Sequence, residues 1–146
     1  MTSNSRHVAR VLGWAGLLPF AALALGAYIG VPDWIDRLLV GYAVAILCFL
    51  CGSLWMSALE LPAGPPQALV ASNLIVLAAL PALVLPLAWA APWLAVLFAA
   101  HFAAEWHWVA SDHPGWYRRL RAMLSGIGIV LLLAAGAAAL SLQAAS

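Results

Sequence analysis

The sequence predicts an all-α membrane protein, a bundle of five transmembrane helices with its N-terminus cytoplasmic and its C-terminus external. Three observations carry that prediction. Of 146 residues, 66% are hydrophobic and only 8% charged, with a mean hydropathy of +1.03; a soluble domain carries about 25% charged residues and could not clothe such a chain in polar surface. Five apolar stretches each come close to the roughly 20 residues that cross a bilayer's hydrocarbon. All six basic residues are arginines, and with alternating spans Arg6, Arg10, Arg118, Arg119 and Arg121 fall on one side against Arg37 on the other. Such a bias marks the first side as cytoplasmic.

Residues 1–10 are read as a short cytoplasmic segment and 11–143 as one five-helix domain. The first span is Val11–Ile29. Arg6 and Arg10 precede it as they would a signal peptide, but the run exceeds the usual h-region of about 7–15 residues, which points to an uncleaved signal-anchor helix. Gly30-Val31-Pro32-Asp33 ends it, and Asp33 or Asp36 can cap the second span, Leu38–Leu59. The proline-rich Leu61–Pro66 stops that helix, because proline has no N–H for the ladder. The third span is Ala68–Leu87, with a kink expected at Pro81. The break from Pro86 to Pro92 is the weakest, so a re-entrant hairpin is the alternative to two full spans there. The fourth span is Pro92–Val109, and Ala110–Arg121 is the longest segment outside the membrane. Met123–Leu142 completes the set.

Aromatic residues support the count. Trp14, Trp55, Trp106, Trp108, Trp116 and Tyr117 fall near one boundary, and Tyr28, Trp34, Tyr42, Trp89 and Trp93 near the other, as interfacial girdles do. The apolar runs are continuous rather than alternating, which favours helices over barrel strands. A net charge of +1 gives no footprint for nucleic acid. Cys48 and Cys51 lie i, i+3 in an apolar helix, away from the electropositive setting that makes a thiolate, and read as packing residues. No solenoid repeat or soluble domain is visible.

Ionisable groups within the membrane are functional candidates by default, because burying them is expensive. The fourth span offers His101 and Glu105, four apart and on one face. They fit a proton relay, a small-ligand contact, or half of a metal or haem site. A complete metal site needs further ligands, and no other span supplies His, Asp or Glu at that depth, so no metal or cofactor is expected. The structural alternative has His101 bonding across to Asn73, Ser53 or Ser57, with Glu105 at the interface or paired with an arginine. Asn73, near the start of the third span, completes the candidate intramembrane polar site.

Around the fourth loop, Trp116, Tyr117, Arg118, Arg119 and Arg121 form a candidate cytoplasmic contact for lipid or a partner. Small residues recur at helical spacing: Ala22, Gly26 and Gly30 in the first span, then Ala122, Gly126, Gly128 and Gly136 around the fifth. They allow close helix approach, for internal packing or for docking.

Several segments carry a family resemblance. Leu12-Gly13-Trp14-Ala15-Gly16-Leu17-Leu18-Pro19-Phe20 and the run from Gly41 to Trp55 resemble the start and second helix of domain-of-unknown-function family 3429, the transmembrane protein 69-like small membrane proteins. Glu105-Trp106 stands where many members have Asp-Trp, and Pro114–Arg121 is similar to the family's Pro-x-Trp-Tyr-x-x-Leu-Arg stretch. Cys51 departs from the family's paired glycines, and His107 stands where arginine is common. The resemblance runs from about Leu12 to Ala139. It implies fold and membrane residence, and it brings no catalytic residue.

Composition favours a non-enzymatic accessory or assembly subunit of a larger complex in the bacterial inner membrane. Its expected partners are the bilayer and either a membrane protein or further copies of itself. A small transporter or channel component using His101 and Glu105 is the second reading. A membrane-embedded enzyme or cofactor-binding protein, with His107, Asp112 or His113 at the rim, is the third.

Overall fold

A computed structural model describes residues 3–29, 34–61, 64–109, 111 and 113–145. These residues form five helices long and apolar enough to span a membrane, and no strand is found among them. Helix α1 is Ser3–Tyr28, α2 is Trp34–Glu60, α3 is Pro66–Ala79 continuing into a 3₁₀ turn over Leu80–Val84, α4 is Leu87–Trp108 and α5 is Gly115–Ala145. Each helix packs on its neighbour in sequence, α5 closes back onto α1, and α2 meets α4 across the bundle. The heaviest packing is between α4 and α5. The chain is therefore a multi-pass membrane protein with α2 and α4 most enclosed and α1 most exposed to lipid.

The expected Gly30–Asp33 break and the Asp33 cap lie outside the described residues. The other boundaries show where local chemistry outweighs an apolar window. Pro65 precedes α3 with extended backbone, and Pro66 is its first residue, where a missing N–H costs nothing. Pro81 does more than kink the third span. The α-helix stops at Ala79 and tightens into 3₁₀ geometry, in which the Ala78 carbonyl would look to residue 81 for its donor. Proline has none, and the Trp93 indole Nε1 on α4 donates to that carbonyl at 2.7 Å. Backbone freed by proline at membrane depth is commonly re-satisfied by a neighbouring helix in this way.

Helix α4 starts at Leu87, five residues before the expected Pro92. The Pro86 carbonyl accepts from both Trp89 and Ala90 N–H at 2.9 Å, and Pro92 is carried inside the helix. At the other boundary the arginine segment is not loop: Gly115–Arg121 forms the first two turns of α5. Third and fourth segments each have the length of a full span, 19 and 22 residues.

Phe20 of α1 is fully buried and sits edge-on to Tyr42 of α2 and Phe98 of α4, with centroids 6.0 and 6.4 Å apart. The Tyr42 hydroxyl donates to the Gly16 carbonyl at 2.8 Å, so the same ring packs and ties α1 to α2. Gly136 is at close quarters with α4. A Cβ there would lie 3.0 Å from Pro92 Cδ and 3.3 Å from the Ala91 Cβ, so glycine lets α5 press onto α4. Gly126 has open space around it, and Ala22 faces outward.

Candidate functional site

Five polar or charged side chains are buried among the described residues: Ser72, His101, Glu105, Arg121 and Ser125. Three of them converge at the arginine-rich end of the α4–α5 hairpin. Four-residue spacing puts His101 and Glu105 on the inward face of α4, and the helical start of α5 carries Arg121 to meet them. Arg121 Nε donates to Glu105 Oε1 at 2.9 Å and Oε2 at 3.1 Å, while Nη2 makes an ionic contact with Oε2 at 2.8 Å. Glu105 is 6% exposed and Arg121 9%, so the pair is shielded from solvent and bidentate. Of the readings open for Glu105, pairing with an arginine is the one the geometry shows.

His101, one turn deeper on α4, is completely enclosed. Neither ring nitrogen has a hydrogen-bond partner. The Leu50 backbone and Arg121 are near enough to act on it electrostatically, without hydrogen-bond geometry. The expected bond to Asn73 is absent. Asn73 faces outward, and its Nδ2 donates to the Leu69 carbonyl of its own helix at 2.8 Å, the i−4 pattern open to any short polar side chain. The sequence placed His101, Glu105 and Asn73 together; the structure joins the first two and leaves the third apart.

Above the ion pair, aromatic rings and guanidinium groups alternate. Arg118 lies over Trp106 at 5.5 Å, Arg121 over Tyr117 at 5.9 Å and Arg10 over Trp116 at 5.6 Å. The last contact brings the start of α1 beside the start of α5. His113 packs on Tyr117 with centroids 5.0 Å apart. Arg119 points away, exposed. The five rim residues expected to act together thus divide: Arg121 turns inward, Arg118 and the two aromatics form the rim, and Arg119 remains at the surface.

Two hollows were not foreseen. An apolar crevice of about 160 Å³ opens between α1, α2 and α5, with Arg121 and Ser125 as its polar lining. Gly13, Gly16 and Gly128 line it, so facing glycines were the available signal. A wider groove of about 890 Å³ occupies the opposite end, between Asp36 and Arg37 of α2, the 3₁₀ turn and the end of α5. It follows from the early end of the third span, which the apolar window concealed. Among the described residues no three His, Cys, Asp or Glu side chains cluster as metal ligands.

A family model described as a protein of unknown function (DUF3429) matches residues 5–138. No curated protein and no solved structure matches the chain.

Proposed function

Because the chain belongs to the DUF3429 family, which carries no assigned activity, we propose from its own geometry that it is a non-enzymatic accessory or assembly subunit of a larger membrane complex. The Glu105–Arg121 pair carries this reading. An acid that binds substrate or relays protons in a membrane keeps a carboxylate oxygen free to do so. Glu105 instead has both oxygens held by one arginine and clasps α4 to α5. The costliest residues in the bundle are spent on its shape, and the lipid-facing sides of α1 and α3 are left for association.

We place the protein in the bacterial inner membrane with the arginine-rich end cytoplasmic. Arg10, Arg118, Arg119 and Arg121 near one end of the bundle support that orientation. Purification of the tagged full chain from its own membrane in mild detergent tests the function. Stoichiometric companions identified by mass spectrometry are expected; a lone monomer rejects it. Reporter fusions to the termini and to each loop test the orientation.

One observation favours a second reading, a small transporter or channel component. His101 is completely enclosed within the bundle, and an apolar crevice opens beside Arg121. Solute flux in proteoliposomes that is lost in His101→Ala would support it.

A further inference from the structure

Among the described residues, buried side-chain nitrogens without a hydrogen bond fall in one region. Two belong to His101; the others are His113 Nε2, Arg118 Nε and Arg121 Nη2, whose contact to the carboxylate is ionic. The last three residues line a single small cavity between the end of α4 and the start of α5, walled also by Trp106 and Tyr117. Its volume, about 10 Å³, admits one oxygen atom. Glu105 is the one acid among the described residues of its lining, already claimed by Arg121, so with Arg118 these residues carry a net positive charge. An arginine Nε–H cannot shed its proton, and leaving it buried without an acceptor is costly.

We propose that this cavity is an oxyanion site that seats one phosphate oxygen, with Arg118 and His113 as its principal donors. Arg118 is held for the task by stacking on Trp106, and His113 by Tyr117. The acceptor chemistry is that of a phosphate group, carried by an anionic lipid headgroup or by free phosphate. The site does not depend on the accessory-subunit reading.

The test uses the full chain in mild detergent. Phosphatidylglycerol retention is followed by native mass spectrometry, and inorganic phosphate binding by phosphorus NMR line broadening. Wild type is expected to retain one phosphatidylglycerol, Arg119→Ala to match it, and Arg118→Ala and His113→Ala to weaken retention about tenfold, the scale of one charge-assisted hydrogen bond. Retention without broadening assigns the oxygen to a lipid; broadening that disappears in Arg118→Ala assigns it to the phosphate group whatever carries it. Equal weakening in Arg118→Ala and Arg119→Ala reduces the effect to surface charge and overturns the proposal. So does the absence of both signals, which leaves only a water in the cavity. If Arg118→Ala fails to fold, Arg118→Lys keeps the charge without the guanidinium fork. The site then requires loss of retention, and unchanged retention overturns it.

Discussion

Arg121 and Glu105 stand sixteen residues apart in the chain and meet across the α4–α5 hairpin in a bidentate ion pair, with Nε donating to both carboxylate oxygens. Both residues are more than nine-tenths buried. The pair sits just below the turn that begins at Val109, so it fixes how the two most heavily packed helices enter and leave that turn.

Breaking such a pair from one side strands a charge. Glu105→Ala should destabilise the bundle by about 3–5 kcal/mol, whereas replacing both partners with apolar residues of similar size should cost far less. Unfolding in mixed micelles of Glu105→Ala, Arg121→Met and a Glu105→Leu, Arg121→Met double variant measures this. A double variant as unstable as the worse single one would mean that the ion pair itself, rather than the stranded charge, dominates.

Small residues at helical spacing are ambiguous in the sequence, and the structure separates them. Gly136→Leu would drive a side chain into Pro92 and Ala91 and should lower stability by a few kcal/mol, at the upper end of the overpacking range of about 1–3 kcal/mol. Gly126→Leu meets open space and should leave the monomer's melting temperature unchanged. If Gly126→Leu keeps the melting temperature yet loses companions on purification, that face belongs to a partner.

The Trp93 indole substitutes for the donor that Pro81 cannot supply. Trp93→Phe preserves an aromatic ring but leaves the Ala78 carbonyl without its partner. A loss of about 1 kcal/mol is expected, with Trp89→Phe as an exposed control. Equal effects from the two substitutions would show that interfacial anchoring, and not this bond, is what Trp93 contributes.

The five spans were legible because apolar runs in a lipid-bound helix need no periodicity to announce themselves. Their ends were less so. Pro86 and Pro92 both fit the start of a helix, and only the two N–H groups gathered by the Pro86 carbonyl decide between them. Arg118, Arg119 and Arg121 looked like a loop because an apolar window ends where charge begins, although α5 continues through them. The pairing of Glu105 with an arginine was foreseen, but not which arginine. Glu105 was recognised as a buried acid from its place on α4, but its partner emerges only when Arg121 is placed in the second turn of α5. Asn73 misled in the opposite sense, since a short amide can bond to its own helix and need no neighbour.

Tyr42 offers a smaller test of how the helices are held. Its hydroxyl bonds to the Gly16 carbonyl while its ring packs on Phe20. Tyr42→Phe should therefore cost only about 0.6 kcal/mol, the usual worth of an interhelical hydrogen bond in a membrane, and Tyr42→Ala considerably more. Similar losses for the two would assign the whole effect to the hydroxyl.

His101 is the polar residue whose presence stability does not explain. A fully enclosed ring with no well-formed hydrogen bond beyond its contact with the Leu50 backbone weighs against the folded state, and leucine would fill much of the same space without polar atoms. His101→Leu should raise the unfolding free energy by on the order of 1 kcal/mol if the ring serves packing alone. Wild-type and variant proteins should be compared both in unfolding and in a growth or complex-assembly assay in the native host. A more stable variant that still assembles its complex and supports growth would leave His101 without a function to explain. A more stable variant that fails in the host would show that the bundle tolerates an unfavourable ring for a task, and would move the weight of interpretation from the clasp at Glu105 to the residue one turn beneath it.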